Sequence, residues 1–414
     1  MKHSFSLLSL LALAASSQAY ATDGYFAHGY GVKSLGMGGV GIALPQDALA
    51  AAANPAGMGL IGNRVDFGLT WFRPVRESEI AGSGAPVNGT YDANDSQNFF
   101  IPEFGYNKQV NPNLTLGVSV YGNGGMNTDY KNGIPLFGST GSAGVDLAQL
   151  IIAPTATWKI TPSQTIGVSL NLAYQRFEAK GLQGFAGYST SPSNLTNQGH
   201  DNSYGAGLHI GWLGQINDAV TLGATYQSRT YMSKFDKYQG LFAEQGDFDI
   251  PSNYGFGVAI KASPAFTLAA DVQRINYSEV ASVGNASIAN LSNGLGSDNG
   301  AGFGWRDATT VKLGASYAYN ESLTLRAGYN HVNQPIRSGD TFFNILAPGV
   351  VEDHMTLGAT YVLPNKAELT FAYAHAFENT VNGVNSIPNN PLGGGNANLS
   401  MYQDSLGIAY GWQF

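Results

Sequence analysis

Stretch after stretch of this chain keeps a strict two-residue alternation, up to the last residue. In LGIAYGWQF, residues Leu406, Ile408, Tyr410, Trp412 and Phe414 fall on one side of an extended strand. Gly407, Ala409, Gly411 and Gln413 fall on the other. AVTLGATYQ separates Val220, Leu222, Ala224 and Tyr226 from Thr221, Gly223, Thr225 and Gln227 in the same way. NYGFGVAIK, TVKLGASYAY, SLTLRAGYN, MTLGATY and ELTFAYAHAF repeat the scheme. One apolar face and one small or polar face, held over about ten residues, is the pattern of a strand that crosses a bilayer at a tilt. Hydrocarbon offers no partner to a bare backbone group, so such strands must close into a barrel.

Fourteen such segments start near Arg64, Gln97, Asn113, Leu147, Gln164, Asp201, Ala219, Phe248, Phe266, Phe303, Ser322, Val351, Lys366 and Met401. Six connections are tight and rich in Asn, Pro, Asp and Ser, such as KITPSQ and YNESL. The seven between them are long and polar, roughly 77–96, 123–146, 181–200, 232–247, 277–302, 335–349 and 379–399. Short turns on one side and long loops on the other predict a 14-stranded antiparallel transmembrane β-barrel, with both termini on the periplasmic side. Tyr410, Trp412 and Phe414 then lie near the periplasmic interface, where aromatic rings favour the headgroup level. A soluble sandwich would need its apolar faces turned inward and would place Tyr and Phe less regularly at strand ends.

The start of the chain fits this location. Lys2, an apolar run from Leu7 to Ala15 and the small-residue site Ala19-Tyr20-Ala21 predict a signal peptide over 1–21, cleaved near Ala21. The expected destination is the bacterial outer membrane. Charged residues make up only 12%, and the formal net charge of −8 excludes a basic nucleic-acid footprint. There is no cysteine, which excludes disulfides, thiolate metal sites and a cysteine nucleophile.

Residues 22–63 break the alternation. TDGYFAHGYGVKSLGMGGVGIALPQDALAAAANPAGMGL is a glycine-rich coil leading to PQDALAAAA, predicted as a short helix that begins at Pro45 and is ended by Pro55. So many small and apolar residues are costly to expose, so the segment is expected to plug the lumen, leaving 64–414 as the barrel. Gly36-Met37-Gly38-Gly39-Val40-Gly41 matches G-x-G-x-x-G, but no strand precedes it, which removes the dinucleotide reading. No H-E-x-x-H, G-x-S-x-G or phosphate-loop pattern occurs, and the histidines lack metal-ligand spacing. No enzyme, no cofactor and no metal are expected.

The run Ser34–Met58, SLGMGGVGIALPQDALAAAANPAGM, resembles the N-terminal hatch of the FadL family of outer-membrane transporters, and Asn54-Pro55-Ala56 matches its Asn-Pro-Ala motif. GVSVYGNGGMNTDY, Gly117–Tyr130, resembles that family's third strand and the loop after it; DLAQLIIAPTATWKI and QTIGVSLNLAYQRF resemble the next two strands. The resemblance implies passive uptake of hydrophobic compounds, foremost long-chain fatty acids. The alternatives are monoaromatic hydrocarbons by the same route and a general porin for polar solutes. It also implies binding beside the hatch and sideways exit through a wall gap made by a kink in the third strand. Gly122-Asn123-Gly124-Gly125 interrupts that strand where glycines permit a bulge, although the same residues also read as the start of an external loop.

Tyr25, Phe26 and His28 resemble the hatch tip that lies against ligand. By alternation Lys261, Lys312, Arg326, Arg229 and His209 face inward. The cations among them would suit a fatty-acid carboxylate, or are ordinary lumen charges. Ile134–Phe137, Leu182–Phe185 and Phe342–Leu346 are apolar stretches in loops, readable as an external landing site or as loop packing. The expected partners are hydrophobic small molecules, outer-membrane lipid and lipopolysaccharide, and the barrel assembly machinery that reads a final strand ending in Phe. No nucleic acid is expected, and the expected state is a monomer.

Overall fold

Fourteen long strands close on themselves in the computed structural model, which describes residues 23–414. The signal segment expected over 1–21 lies outside the described residues. The strands are β1 Arg64–Ala81, β2 Phe99–Gln109, β3 Leu114–Asn127, β4 Gly144–Thr161, β5 Gln164–Lys180, β6 Asp201–Gln215 and β7 Val220–Gln227. They continue as β8 Asn253–Lys261, β9 Phe266–Ile275, β10 Ala308–Ala318, β11 Leu323–Val332, β12 Asp353–Val362, β13 Glu368–Val381 and β14 Asn396–Gln413. Each pairs antiparallel with the next, and β14 closes the wall on β1 from Arg64↔Gln413 to Ala81↔Asn396. Two short strands lie above the wall: Gly89–Asp92 on β1 and Tyr231–Met232 on β6.

The alternation resolves as lipid outside and hatch inside. Phe67, Leu69, Leu170, Phe256, Leu357, Phe371 and Ile408 stand exposed on the outer face. The inward positions are small because the hatch backbone touches the wall. A Cβ on Gly223 would lie 2.3 Å from the Ile42 carbonyl oxygen, and one on Gly211 would lie 1.8 Å from the Asn54 side chain. Glycine at these positions admits the plug.

Several boundaries differ from the sequence-based expectation. β4 starts at Gly144, β8 at Asn253, β10 at Ala308 and β14 at Asn396, against expected starts near Leu147, Phe248, Phe303 and Met401. β1 also runs to Ala81 and β3 to Asn127, past the expected loop starts at 77 and 123. Above the hydrocarbon the outward positions turn polar (Glu77, Glu79, Asn398, Ser400), so the apolar rhythm fades while the ladder continues. Phe248 and Phe303 are apolar because they pack among loops, not because they face lipid.

The hatch differs too. PQDALAAAA is not an α-helix: only Ala50–Ala52 turns, as 3₁₀, followed by a 3₁₀ segment Pro55–Leu60. Ala48 N–H donates to Asp66 of the wall and Leu49 N–H to Asp47. Among the described residues the one α-turn of the hatch is α1, Val32–Leu35. The main apolar core lies higher, where the external loops fold over the lumen around Phe137, Phe177, Phe242, Tyr277, Trp305 and Phe342.

Candidate functional site

β2 and β3 pair only from Gln109↔Thr115 to Phe104↔Val120. Above that level Phe99–Phe104 stay on β1, and Tyr121–Asn127 stay on β4. Between the two half-strands the ladder stops. Pro102 sits on the β2 edge of this break and has no N–H to give. On the other edge the β3–β4 ladder shifts register between Gly122/Leu150 and Gly124/Gln149, leaving Asn123 as the extra residue of a bulge. Gly122, Asn123, Gly124 and Gly125 are therefore strand residues here, not the opening of a loop. Arg76 spans the top of the break, donating to the Asn127 carbonyl at 2.6 Å and the Ser96 carbonyl at 2.6 Å. A cleft of about 360 Å³ lies there, lined by Asn98, Phe99, Asn127, Asp146, Arg176 and His200.

The hatch tip occupies the free edge of β3. Ala27 N–H donates to the Asn123 carbonyl at 3.0 Å, and Gly125 N–H donates to the Tyr25 carbonyl at 3.0 Å. Phe26 thereby pairs with Gly124, where a Cβ would lie 1.9 Å from the Tyr25 oxygen. Tyr25, Phe26 and His28 are all buried. The Tyr25 ring lies 5.0 Å from Tyr277, 5.8 Å from Trp305 and 6.0 Å from Phe248. The Tyr277 hydroxyl donates to the Asp23 carbonyl and receives the Tyr25 N–H at 3.2 Å. Burial, with the neighbouring His354 ring, pulls the His28 imidazole down to about 3, so it is neutral and offers no cation.

Below the tip the hatch is bonded to the wall. Asn54 accepts the Ala56 N–H at 3.0 Å and donates to the Ile42 carbonyl at 2.7 Å and the Trp212 carbonyl at 3.1 Å. The Pro55 carbonyl accepts from Thr157 at 2.9 Å. Three wall carboxylates receive hatch amides. Glu103 caps α1 through Gly31 and Val32 at 3.1 and 3.0 Å, Asp271 takes Gly41 and Ile42 at 2.7 and 3.0 Å, and Asp66 takes Ala48 at 2.8 Å. Lys33 joins Glu368, which also binds Arg64. None of these three acceptors was among the expected site residues. Their signal was an acid at an inward position of a spanning strand, which is costly unless it is paired.

Each cation expected in the lumen already has its place. Lys312 donates to the His28 carbonyl at 2.8 Å and faces Asp23 at 3.2 Å. Arg326 donates to Gln46 at 2.9 Å and Thr360 at 2.7 Å. The other two correct the alternation. Arg229 lies beyond the end of β7, paired with Asp249 at 2.6 Å and Asp247 at 3.5 Å among the external loops. Lys261, the last residue of β8, still pairs with Thr267 in the wall but is exposed at the periplasmic rim. His209 is buried and bonded to Thr225 at 2.6 Å.

An apolar cleft and a smaller, mixed polar and apolar cavity lie near the tip. A cleft of about 40 Å³ among the external loops is lined by Phe177, Phe185, Phe242, Phe303, Phe343 and Leu346. A cavity of about 30 Å³ beside the break is lined by His28, Gly31, Leu35, Phe72, Glu103 and Ser405. The rings of Phe242, Phe248 and Tyr25 lead from the loop cleft to the hatch tip, with centroids 4.8 and 6.0 Å apart.

A family model described as outer membrane protein transport protein (OMPP1/FadL/TodX) matches residues 11–414. The fold is similar to that of the toluene transporter TodX of P. putida, with a TM-score of 0.68 at 17% identity over 94% of this chain and 99% of that one. A FadL homologue of Pseudomonas aeruginosa gives a TM-score of 0.72 at 16% identity over 94% and 99%. The toluene transporter TbuX of Ralstonia pickettii gives 0.65 at 18% identity over 94% and 99%. A Chlorobium limicola protein, described as an uncharacterized protein in the phosphoenolpyruvate carboxykinase gene 5' region, is 36% identical over 76 residues, 18% of this chain. The chain thus spans 37% of the length of that curated relative.

Proposed function

Because the chain belongs to the OMPP1/FadL/TodX family of outer-membrane transporters of hydrophobic compounds, we propose that its cargo lands on the apolar cleft of the external loops, passes the hatch tip and leaves sideways through the break between β2 and β3. The observation that carries this reading is the ladder that stops at Phe104↔Val120 while the plug below it is bonded to the wall. An apolar cargo gains about 0.8 kcal/mol per methylene on entering lipid, so a dry sideways path needs no other energy source. A plug bonded to the wall argues against the general porin.

For the cargo's chemistry we favour neutral hydrophobic molecules of the monoaromatic kind. The support is that Lys312 and Arg229 are already paired with acids, that Arg326 is bonded under the hatch and that Lys261 lies at the rim. TodX and TbuX are toluene transporters, and a FadL homologue is equally similar in fold, so fold alone does not choose. The long-chain fatty acid reading keeps one observation in its favour: Lys312 lies at the hatch tip, and Asp23 occupies the place a carboxylate would take.

Uptake of labelled toluene and labelled oleate, in cells with and without the protein, separates the two. Neutral cargo predicts protein-dependent toluene uptake, with oleate at background in the natural protein and rising only in Asp23→Asn, which frees the Lys312 ammonium. Oleate carried faster than toluene by the natural protein would reverse the assignment. Phe26→Asp places a carboxylate among the rings of Tyr25 and Tyr277, at a cost of several kcal/mol. We expect uptake of either cargo to fall roughly tenfold or more, the rate equivalent of about 1.4 kcal/mol. Unaltered uptake would remove Phe26 from the path.

A further inference from the structure

Three buried polar side chains and one partly buried tyrosine run in one direction beneath the break. The bulged residue Asn123 donates from its side-chain nitrogen to the Gln149 oxygen at 2.9 Å. Gln149 donates to the Gln175 oxygen at 3.1 Å, and Gln175 donates to the backbone carbonyl of Phe248 at 2.7 Å. At the other end the Tyr30 hydroxyl of the hatch donates to the Asn123 side-chain oxygen at 3.3 Å. Asn123, Gln149 and Gln175 are at most 1% exposed.

The row follows from the register. Gly124 sits opposite Gln149, Gln149 opposite Gln175, and Gln175 opposite Ser203, so these inward positions form one line across β3, β4, β5 and β6. The Phe248 carbonyl can only accept, which fixes the orientation of Gln175 and, through it, of Gln149 and Asn123. Reversing any one amide leaves a buried donor or acceptor unpaired, a costly state. The line therefore has one satisfied arrangement, and in that arrangement Asn123 points inward as the extra residue of the bulge.

Both ends reach the path of the cargo. Phe248 packs 6.0 Å from Tyr25 at the hatch tip and 4.8 Å from Phe242, which lines the loop cleft. Tyr30 belongs to the hatch and packs tilted, 4.8 Å from Tyr121, a residue of the half of β3 above its ladder with β2.

We propose that Gln149 and Gln175 are positioning residues that hold the Asn123 bulge, and with it the break in the wall, in fixed relation to the external loop at Phe248. Neither touches the cargo path itself; they act through Asn123 and Phe248. The inference rests on the reading that cargo leaves through this break. A wall that only had to close could fill these positions with apolar side chains, which need no particular orientation.

The test is uptake kinetics of labelled toluene and oleate in cells carrying Gln149→Leu, Gln175→Leu and the double variant, with folded barrel quantified by heat-modifiable gel migration. Each single variant should lower the maximal rate roughly fivefold or more and leave half-saturation within about twofold, since binding at the loop cleft is untouched. The double variant should be no slower than the slower single one, because either substitution already breaks the line. Gln149→Asn, one methylene shorter, keeps the amide but cannot reach both neighbours, and should show the same loss.

Folded variants that transport at the natural rate would overturn the proposal, as would losses that multiply in the double variant. Failure of both Gln149→Leu and Gln149→Asn to assemble would also overturn it, by assigning the line to folding. If the natural protein itself carries neither cargo, the exit reading fails first; if it does and the variants match it, only the positioning role falls.

Discussion

Deletion of Asn123 is expected to remove at least nine-tenths of hydrophobic uptake while leaving a folded barrel. Asn123 is the one residue by which β3 exceeds β4 across the bulge, where Gly122↔Leu150 is followed by Gly124↔Gln149. Without it the two strands run in continuous register, and every residue beyond keeps its face, because the extra residue had no partner. A straight β3 then lies along Phe99–Glu103 of β2, whose edge the natural chain leaves without a ladder. Cross-strand pairing is favoured wherever two such edges can meet in hydrocarbon. The hatch contacts Ala27 to Asn123 and Tyr25 to Gly125 would be lost or displaced at the same time. The measurement is uptake of labelled cargo, scaled to folded protein by gel migration. Uptake at the natural level in a folded deletion variant would show that cargo does not need the break.

Asn54→Ala should loosen the plug more than any other single truncation in it. Asn54 is fully buried and makes three hydrogen bonds, one to its own turn, one across the hatch to Ile42 and one to the wall at Trp212. Alanine removes all three and leaves the Ile42 carbonyl without the Asn54 amide. At about 1 kcal/mol for each bond, the docked hatch loses roughly 3 kcal/mol. A displaced plug then becomes about 100-fold more populated, at a factor of ten for each 1.4 kcal/mol. Transient ion conductance should appear in planar bilayers, and the barrel should unfold at lower temperature on heated gels. Asn54→Asp keeps the acceptor for Ala56 but sets a buried carboxylate against the Ile42 and Trp212 carbonyls, and should loosen the plug at least as much as alanine. Conductance and thermal stability equal to the natural protein would mean that the hatch is held elsewhere, by Glu103, Asp271 and Asp66.

The barrel was legible because lipid imposes one rule on every spanning strand, and Phe371 or Ile408 obeys it visibly. Legibility ended where that rule stops. Glu77 and Asn398 still pair in their strands, but above the hydrocarbon nothing demands an apolar residue at their positions. The hatch motif Asn54-Pro55-Ala56 was readable by resemblance, whereas the conformation before it was not. That stretch is bonded to the wall, as at Ala48 N–H to Asp66, and only the fold brings the wall residue there.

Alternation gave the correct side for Lys312 but not its partner, Asp23, which lies at the far end of the chain. For Arg229 it gave a side where no strand remained, and for Lys261 a position exposed at the rim. The glycines around Asn123 announced an interruption, but the break needed the other edge, Phe99 to Glu103, to be visible. Gln149 and Gln175 carried no signal, since polar residues at inward positions are ordinary in a barrel.

The central claim is that the lumen is sealed by the hatch and that cargo leaves through the wall. Purified natural protein in a planar bilayer tests it most directly, with uptake of labelled toluene and oleate measured in parallel in cells. The account predicts no steady ion conductance together with protein-dependent uptake of a hydrophobic cargo. A large, steady conductance would mean an open water-filled bore, and would contradict it.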